Sequence, residues 1–298
     1  MQRVHFFKAH TRLGIINTPW GGSELNLGVE KGPDGILTKN YLSYFSINPA
    51  VTTYKFPNPQ KIKKLRYKKT LSESLRDFTD IILSNSKPNE TQVVIGGDHS
   101  ISFASTAAIL KKHEPAKIGY IQFDSHADLC TFTHSPSKNF HGMVTRALLD
   151  KRFDVKCISS LLKKRLLPAN ILYIGNLEVD EKERKFLTSH KIKVFDRHDI
   201  QKNPNLVKKK LERFMKLFEH LHISFDIDVF DGSLVKATGT PSKSGLLTRD
   251  VYPLLAILAK HKNISIDLVE VNPKKEGSKN TIKLARDVLT RLLPTMFV

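Results

Sequence analysis

Short runs of β-branched and aromatic residues punctuate the chain at 12–17 (RLGIIN), 92–95 (QVVI), 118–123 (IGYIQF), 171–174 (ILYI), 192–195 (IKVF), 222–227 (HISFDI) and 264–269 (ISIDLV). Several are apolar at consecutive positions, the pattern of strands buried on both faces. Between them, apolar residues recur at helical spacing in 73–84, 101–113, 142–150, 205–220, 248–261 and 280–293. Strand–helix alternation along the whole length predicts a parallel sheet flanked by helices. No repeat, low-complexity tract or Pro/Gly-rich linker divides the chain, so residues 1–298 are expected to form one α/β domain.

The polar clusters follow this pattern. QVVI runs into GGDHS (96–100), IGYIQF into DSHAD (124–128), HISF into DIDVFD (226–231) and ISIDLV into EVNP (270–273). Ligands of open α/β sheets bind outside the carboxyl ends of the strands. Four strands are therefore expected to deliver acids and histidines to one rim.

Asp124, His126 and Asp128 stand at i, i+2 and i+4, which in extended chain project to one side, and Asp226 and Asp228 repeat the spacing. His99 follows Gly96 and Gly97, where the backbone turns tightly. Four aspartates and two histidines without thiolate form a hard O/N donor set. It suits Mn²⁺ first, with Co²⁺ or another divalent ion next, and disfavours a structural zinc. Four carboxylates exceed what one divalent ion neutralises, so two ions are expected, about 3.5–4 Å apart and able to activate a water between them.

Composition narrows the picture. Lys+Arg 48 against Asp+Glu 29 gives a net charge of +19. The lysines are scattered, and the runs 61–69 and 207–216 read as a surface segment and the solvent face of a helix. No zinc finger, RNA-binding signature or interleaved aromatics accompany them, so no nucleic-acid partner is expected. Cys130 and Cys157 form no C-x-x-C pair and suit a reducing compartment. No apolar run approaches the roughly 20 residues that span a bilayer. With no signal-peptide layout in MQRVHFFKAH, a cytoplasmic protein without membrane association is expected.

GGDHS at 96–100, DSHAD at 124–128 and SFDIDVFD at 224–231 resemble the three metal motifs of the ureohydrolases (arginases, agmatinases, formimidoylglutamases and relatives) in order and spacing. LGVEKGPDGI at 27–36, ATGTP at 237–241 and EVNP at 270–273 extend the resemblance over nearly the whole chain. It implies a three-layer α/β/α sandwich around a parallel, about eight-stranded sheet. It also implies two Mn²⁺ per subunit and hydrolysis of a guanidino or amidino C–N bond by a metal-bridging hydroxide. By the same resemblance His99 and Asp128 hold one ion, His126 and Asp228 the other, and Asp124 and Asp226 bridge both. Asp98 and Asp231 fall outside the ligand set. Glu270 matches the carboxylate that receives the cationic substrate and His141 the proton shuttle, and Asp128 counts with them as catalytic.

Within the family the chain is most similar to arginases. Ser137, Asn139 and His141, in S-x-N-x-H-G, match the loop that grips a substrate α-carboxylate, with Ser135 assisting, and Asp180 falls where an acid meets the α-amino group. The resemblance thus implies conversion of L-arginine to L-ornithine and urea by a trimer or hexamer. Its alternatives are an agmatinase, a guanidino-acid hydrolase, a formimidoylglutamase or a non-catalytic metal-binding member. Cys130, Lys138, Gly232, Lys236 and Glu178 depart from the arginase pattern, where Asn, Gly, Pro, Pro and Asp are usual.

Overall fold

In a computed structural model that describes residues 3–16, 26–175 and 177–297, eight strands form one parallel sheet. They are β1 (Arg3–His10), β2 (Ala50–Lys55), β3 (Glu90–Ile95), β4 (Ile118–Phe123), β5 (Ile171–Ile174), β6 (Lys193–Phe195), β7 (His220–Asp226) and β8 (Ile264–Val269). Their order across the sheet is β2-β1-β3-β8-β7-β4-β5-β6.

Side-chain alternation gives each face its own core. Val93, Ile95, Ile121, Phe123, Ile223, Phe225, Ile266 and Leu268 pack with residues of helices Pro204–Met215, Thr248–Leu258 and Ser278–Leu292. On the other face Val94, Tyr120, Ile171 and Tyr173 meet helices Tyr67–Asn85, Ile101–Lys112 and Val144–Leu149. The helical periodicity is real: Leu71, Leu75, Phe78 and Ile82 are buried along one stripe of Tyr67–Asn85. The result is the three-layer architecture expected from the sequence.

Two strand assignments need correction. Residues 12–16 are a turn, closed by Ile15 N–H donating to Arg12 O at 3.1 Å, and residue 17 lies outside the described residues. The strand lies just before it, at Arg3–His10. Leu13 and Ile15 are buried because the turn folds inward, so an apolar run there marks burial without pairing. β2 escapes pattern reading because it is an edge strand, mostly exposed along AVTTYK. Helix 205–220 also ends early, at Met215, and His220 opens β7.

The topology places chemistry in the middle of the sheet. β3, β8, β7 and β4, the four strands that run into the polar clusters, are consecutive neighbours. Their ends are level, with Ile95 opposite Leu268, Asp226 opposite Val269 and Phe123 opposite Phe225.

Candidate metal centre

One local device recurs at three of these strand ends. Asp98, Asp124 and Asp226 each accept, through a side-chain oxygen, the backbone N–H two residues later: Ser100 at 2.8 Å, His126 at 2.7 Å and Asp228 at 2.9 Å. Such Asx turns reverse the chain at once. The i, i+2 convergence therefore comes from turns rather than from the continued strand expected from spacing. β4 stops at Phe123, and Asp128 has a left-handed φ of 52°.

The turns bring the six residues together. His99 Nδ1 lies 3.2 Å from Asp124 Oδ2, 3.0 Å from Asp128 Oδ2 and 3.2 Å from Asp226 Oδ2. His126 Nδ1 lies 3.2 Å from Asp228 Oδ2 and 3.5 Å from Asp124 Oδ1. Ligand-capable atoms thus form two groups, His99–Asp124–Asp226 and Asp124–His126–Asp228, which share Asp124. All but His126 are almost fully buried.

Burial of four carboxylates demands positive charge. Without metal, burial and the neighbouring Asp228 and Asp124 push Asp226 well above the carboxylate range. Burial opposes charge on His99 and His126, yet Asp128, Asp124 and Asp226 around the first, and Asp228 and Asp124 around the second, raise both well above ordinary imidazoles. The raised imidazoles and carboxyl mark positions where divalent cations would relieve the buried negative charge. The donor set therefore suits two hard ions.

Second contacts fix the ligands. Ser224 donates to Ser102 Oγ at 3.2 Å, and so accepts from His99 Nε2 at 2.9 Å, which leaves Nδ1 free to ligate. Gln122 donates to Asp124 Oδ2 at 2.8 Å and Asp128 Oδ2 at 3.2 Å, while Ser125 and Thr240 donate to Asp228. Sequence reading missed these four. Gln122 and Ser224 were within reach of it, since each stands two residues before an aspartate on the same strand face.

Beside the ligands, Glu270 has φ 65°, and its Oε1 accepts from His99 N–H at 2.9 Å and meets His141 Nδ1 at 3.1 Å. Burial pushes Glu270 up, but His141 outweighs it and holds the acid below its ordinary range. Burial likewise opposes charge on His141, and Glu270 more than compensates. Both line a pocket of about 170 Å³ with His99, His126, Asp128, Asp226 and Asp228.

The Arginase family model matches residues 11–294. The chain belongs to the arginase family. An arginase of Staphylococcus aureus (strain COL) is 31% identical over 92% of this chain and 94% of its own length. One from Emericella nidulans is 29% identical over 94% and 93%. The crystal structure of Entamoeba histolytica arginase in complex with L-ornithine has a TM-score of 0.84 at 25% identity, covering 98% of both chains. A formimidoylglutamase from Bacillus subtilis shares the fold, with a TM-score of 0.73 at 18% identity over 98% of this chain and 86% of its own.

Membership makes this chain a metal-dependent hydrolase of linear amidines, and its individuality lies further out in the pocket. Cys130, Glu178 and Glu183 line it among the described residues, whereas Ser135, Ser137, Asn139 and Asp180 do not. Ser135 and Ser137 face each other at 3.3 Å, Asn139 Oδ1 accepts from Ile16 N–H at 3.0 Å, and Lys138 Nζ donates to Thr133 O at 3.0 Å. Asp180 caps helix Glu181–Ser189, accepting from Lys182 and Glu183 N–H, each at 2.8 Å. Glu183 is buried and accepts from Leu129 N–H at 3.0 Å. Burial, with Glu183 and Asp180 nearby, keeps the Cys130 thiol protonated. Among the described residues no helix is long and apolar enough to cross a membrane.

Proposed function

We propose that this arginase-family chain holds two Mn²⁺ and cleaves the guanidinium C–N bond of L-arginine, giving L-ornithine and urea. The observation that carries the reading is the placement of Glu270 and His141, 3.1 Å apart, on the wall of the pocket that five of the six candidate ligands, all but Asp124, also line. His99 and Asp128 would hold one ion, His126 and Asp228 the other, with Asp124 and Asp226 between them. When bound, the ions supply Lewis acidity and a water activated at neutral pH.

The chain's own groups do the rest. Glu270, charged and fixed by donors, receives the guanidinium and orients its plane. His141, its charge favoured by Glu270, gives a proton to the amine that departs when the C–N bond breaks. Water adds to the guanidinium carbon, so urea and a protonated amine account for all atoms. Glu183 and Asp180 would face the substrate's far ammonium, and Ser135, Ser137 and Asn139 its carboxylate. A homo-oligomer in the cytoplasm completes the reading.

Agmatine is the second reading, favoured by one observation: Glu178, Glu183 and Cys130 line the outer pocket, and no lysine or arginine does among the described residues. Rates of urea release by Mn²⁺-loaded protein on L-arginine, agmatine and 4-guanidinobutyrate, with formamide release from formimidoylglutamate, test both. Arginine is expected to show the highest kcat/KM. A higher value for agmatine overturns the arginine assignment, and inertness towards all four overturns catalysis.

A further inference from the structure

Glu270 carries two partners in the candidate metal centre and its pocket, His99 N–H and His141, both on Oε1. Its other oxygen is held from elsewhere: Asn26 Nδ2 donates to Oε2 at 2.9 Å. We propose that Asn26 is the positioning residue for Glu270, setting the plane in which that carboxylate meets a guanidinium. The inference rests on the reading of Glu270 as the guanidinium's partner.

Several features show an amide held for this contact. Asn26 is 2% exposed and has a left-handed φ of 44°, unusual for a residue with a side chain. Its Oδ1 accepts from Asn272 Nδ2 at 2.7 Å, which fixes the amide's orientation and turns its NH₂ towards Glu270. Asn272 Nδ2 also donates to Leu27 O at 3.0 Å, clamping the segment onto the end of β8. Gly239 keeps the approach open, since a Cβ there would lie 2.9 Å from Asn26 Nδ2. Asn272 is thus the anchor, Asn26 the arm and Glu270 the group presented. A carboxylate free to rotate would spend part of its time turned away from the substrate, and this would weaken binding more than chemistry.

Asp and Ala substitutions separate positioning from loop anchoring. Asn26→Asp keeps the oxygen that Asn272 needs, so the anchor survives, but it sets a carboxylate against Glu270. Asn26→Ala loses both contacts. The Mn²⁺-loaded full chain is assayed for KM and kcat on whichever of L-arginine or agmatine it turns over, and for methylguanidine binding by calorimetry. Asn26→Ala is expected to raise KM and the methylguanidine Kd about 10-fold, and Asn26→Asp more, with kcat within about 3-fold and bound manganese unchanged.

Wild-type KM and Kd in Asn26→Asp overturn the inference, as does a loss confined to kcat or to manganese content. Should Asn26→Asp not fold, the KM against kcat split in Asn26→Ala decides. A wild-type protein that neither binds methylguanidine nor releases urea overturns the reading of Glu270 itself, and the inference falls with it.

Discussion

β7 runs between two histidine clusters of opposite character. At its carboxyl end Asp226 joins His99 and His126 among four aspartates, and the imidazoles are raised well above their ordinary range. At its amino end His220 stacks on His113 with ring centroids 4.7 Å apart, and His222 bonds Ser265 at 2.9 Å and Asp267 at 3.0 Å. There burial, with His113, His222, His261 and Lys112 adding like charge, drives His220 down to about 3. Burial alone expels charge from a histidine, and it takes carboxylates to invert the result. The carboxyl end is therefore suited to cations, whereas at the amino end Ser265 meets the depressed His220 ring at 2.8 Å.

The contrast breaks most completely if its carboxylates go. Asp226→Ala or Asp124→Ala should leave urea release below detection and lower the manganese bound per chain by metal analysis, while circular dichroism remains native-like. Retention of full manganese by both variants would refute the ligand assignment. Next in size, Ser224→Ala removes the acceptor that keeps His99 Nε2 protonated. Manganese affinity should fall about 10–100-fold, read by titration with a competing chelator.

A pH series of thermal melts sharpens the comparison, because His99 and His126 at one end shift opposite to His220 at the other. In metal-free protein His99, His126 and Asp226 are raised on folding. Raised groups contribute fully below their unfolded pKa, about 3.9 for an aspartate and about 6.5 for imidazole, and lose that contribution as pH climbs through the folded value. Metal-free protein should thus lose Tm above about pH 6.5, and Mn²⁺ should restore it. Depressed His220 contributes above about 6.5 and loses that contribution as pH falls towards its folded value of about 3, with or without metal. Asp124, held low once its histidines outweigh burial, adds to the same acid-side loss. An alkaline limb unmoved by Mn²⁺ would count against the cation site.

The smallest effect belongs to the amino end. Ser265→Ala strips a hydrogen-bond partner from both His220 and His222 and should cost about 1–3 kcal/mol by urea denaturation. Urea release should stay at the wild-type level, and a large loss of turnover would show that the two clusters are coupled.

Much of this was legible in the chain. Six of the eight strands stand out as apolar runs: five are buried on both faces and leave few polar positions to blur the signal, and the edge strand β6 shows through IKVF all the same. The six candidate ligands are legible because three motifs each follow such a run. The turn at 12–16 misled because burial of Leu13 and Ile15 looks like a strand in one dimension. Glu183 shows no signal, since an acid in a lysine-rich helix reads as solvated until that helix folds over the pocket.

What the sequence by itself determined is which residue types sit at each strand end, hence the α/β class, the candidate ligand set and the family likeness. These are local facts, written in spacing and in the i, i+2 reach of an aspartate side chain. Tertiary structure alone decided that β3, β8, β7 and β4 lie side by side, that His99 turns Nδ1 towards Asp124, Asp128 and Asp226, and that Asn26 reaches Glu270 across 244 positions. Such contacts depend on sheet order and on the closure of distant loops, and no local pattern carries that information.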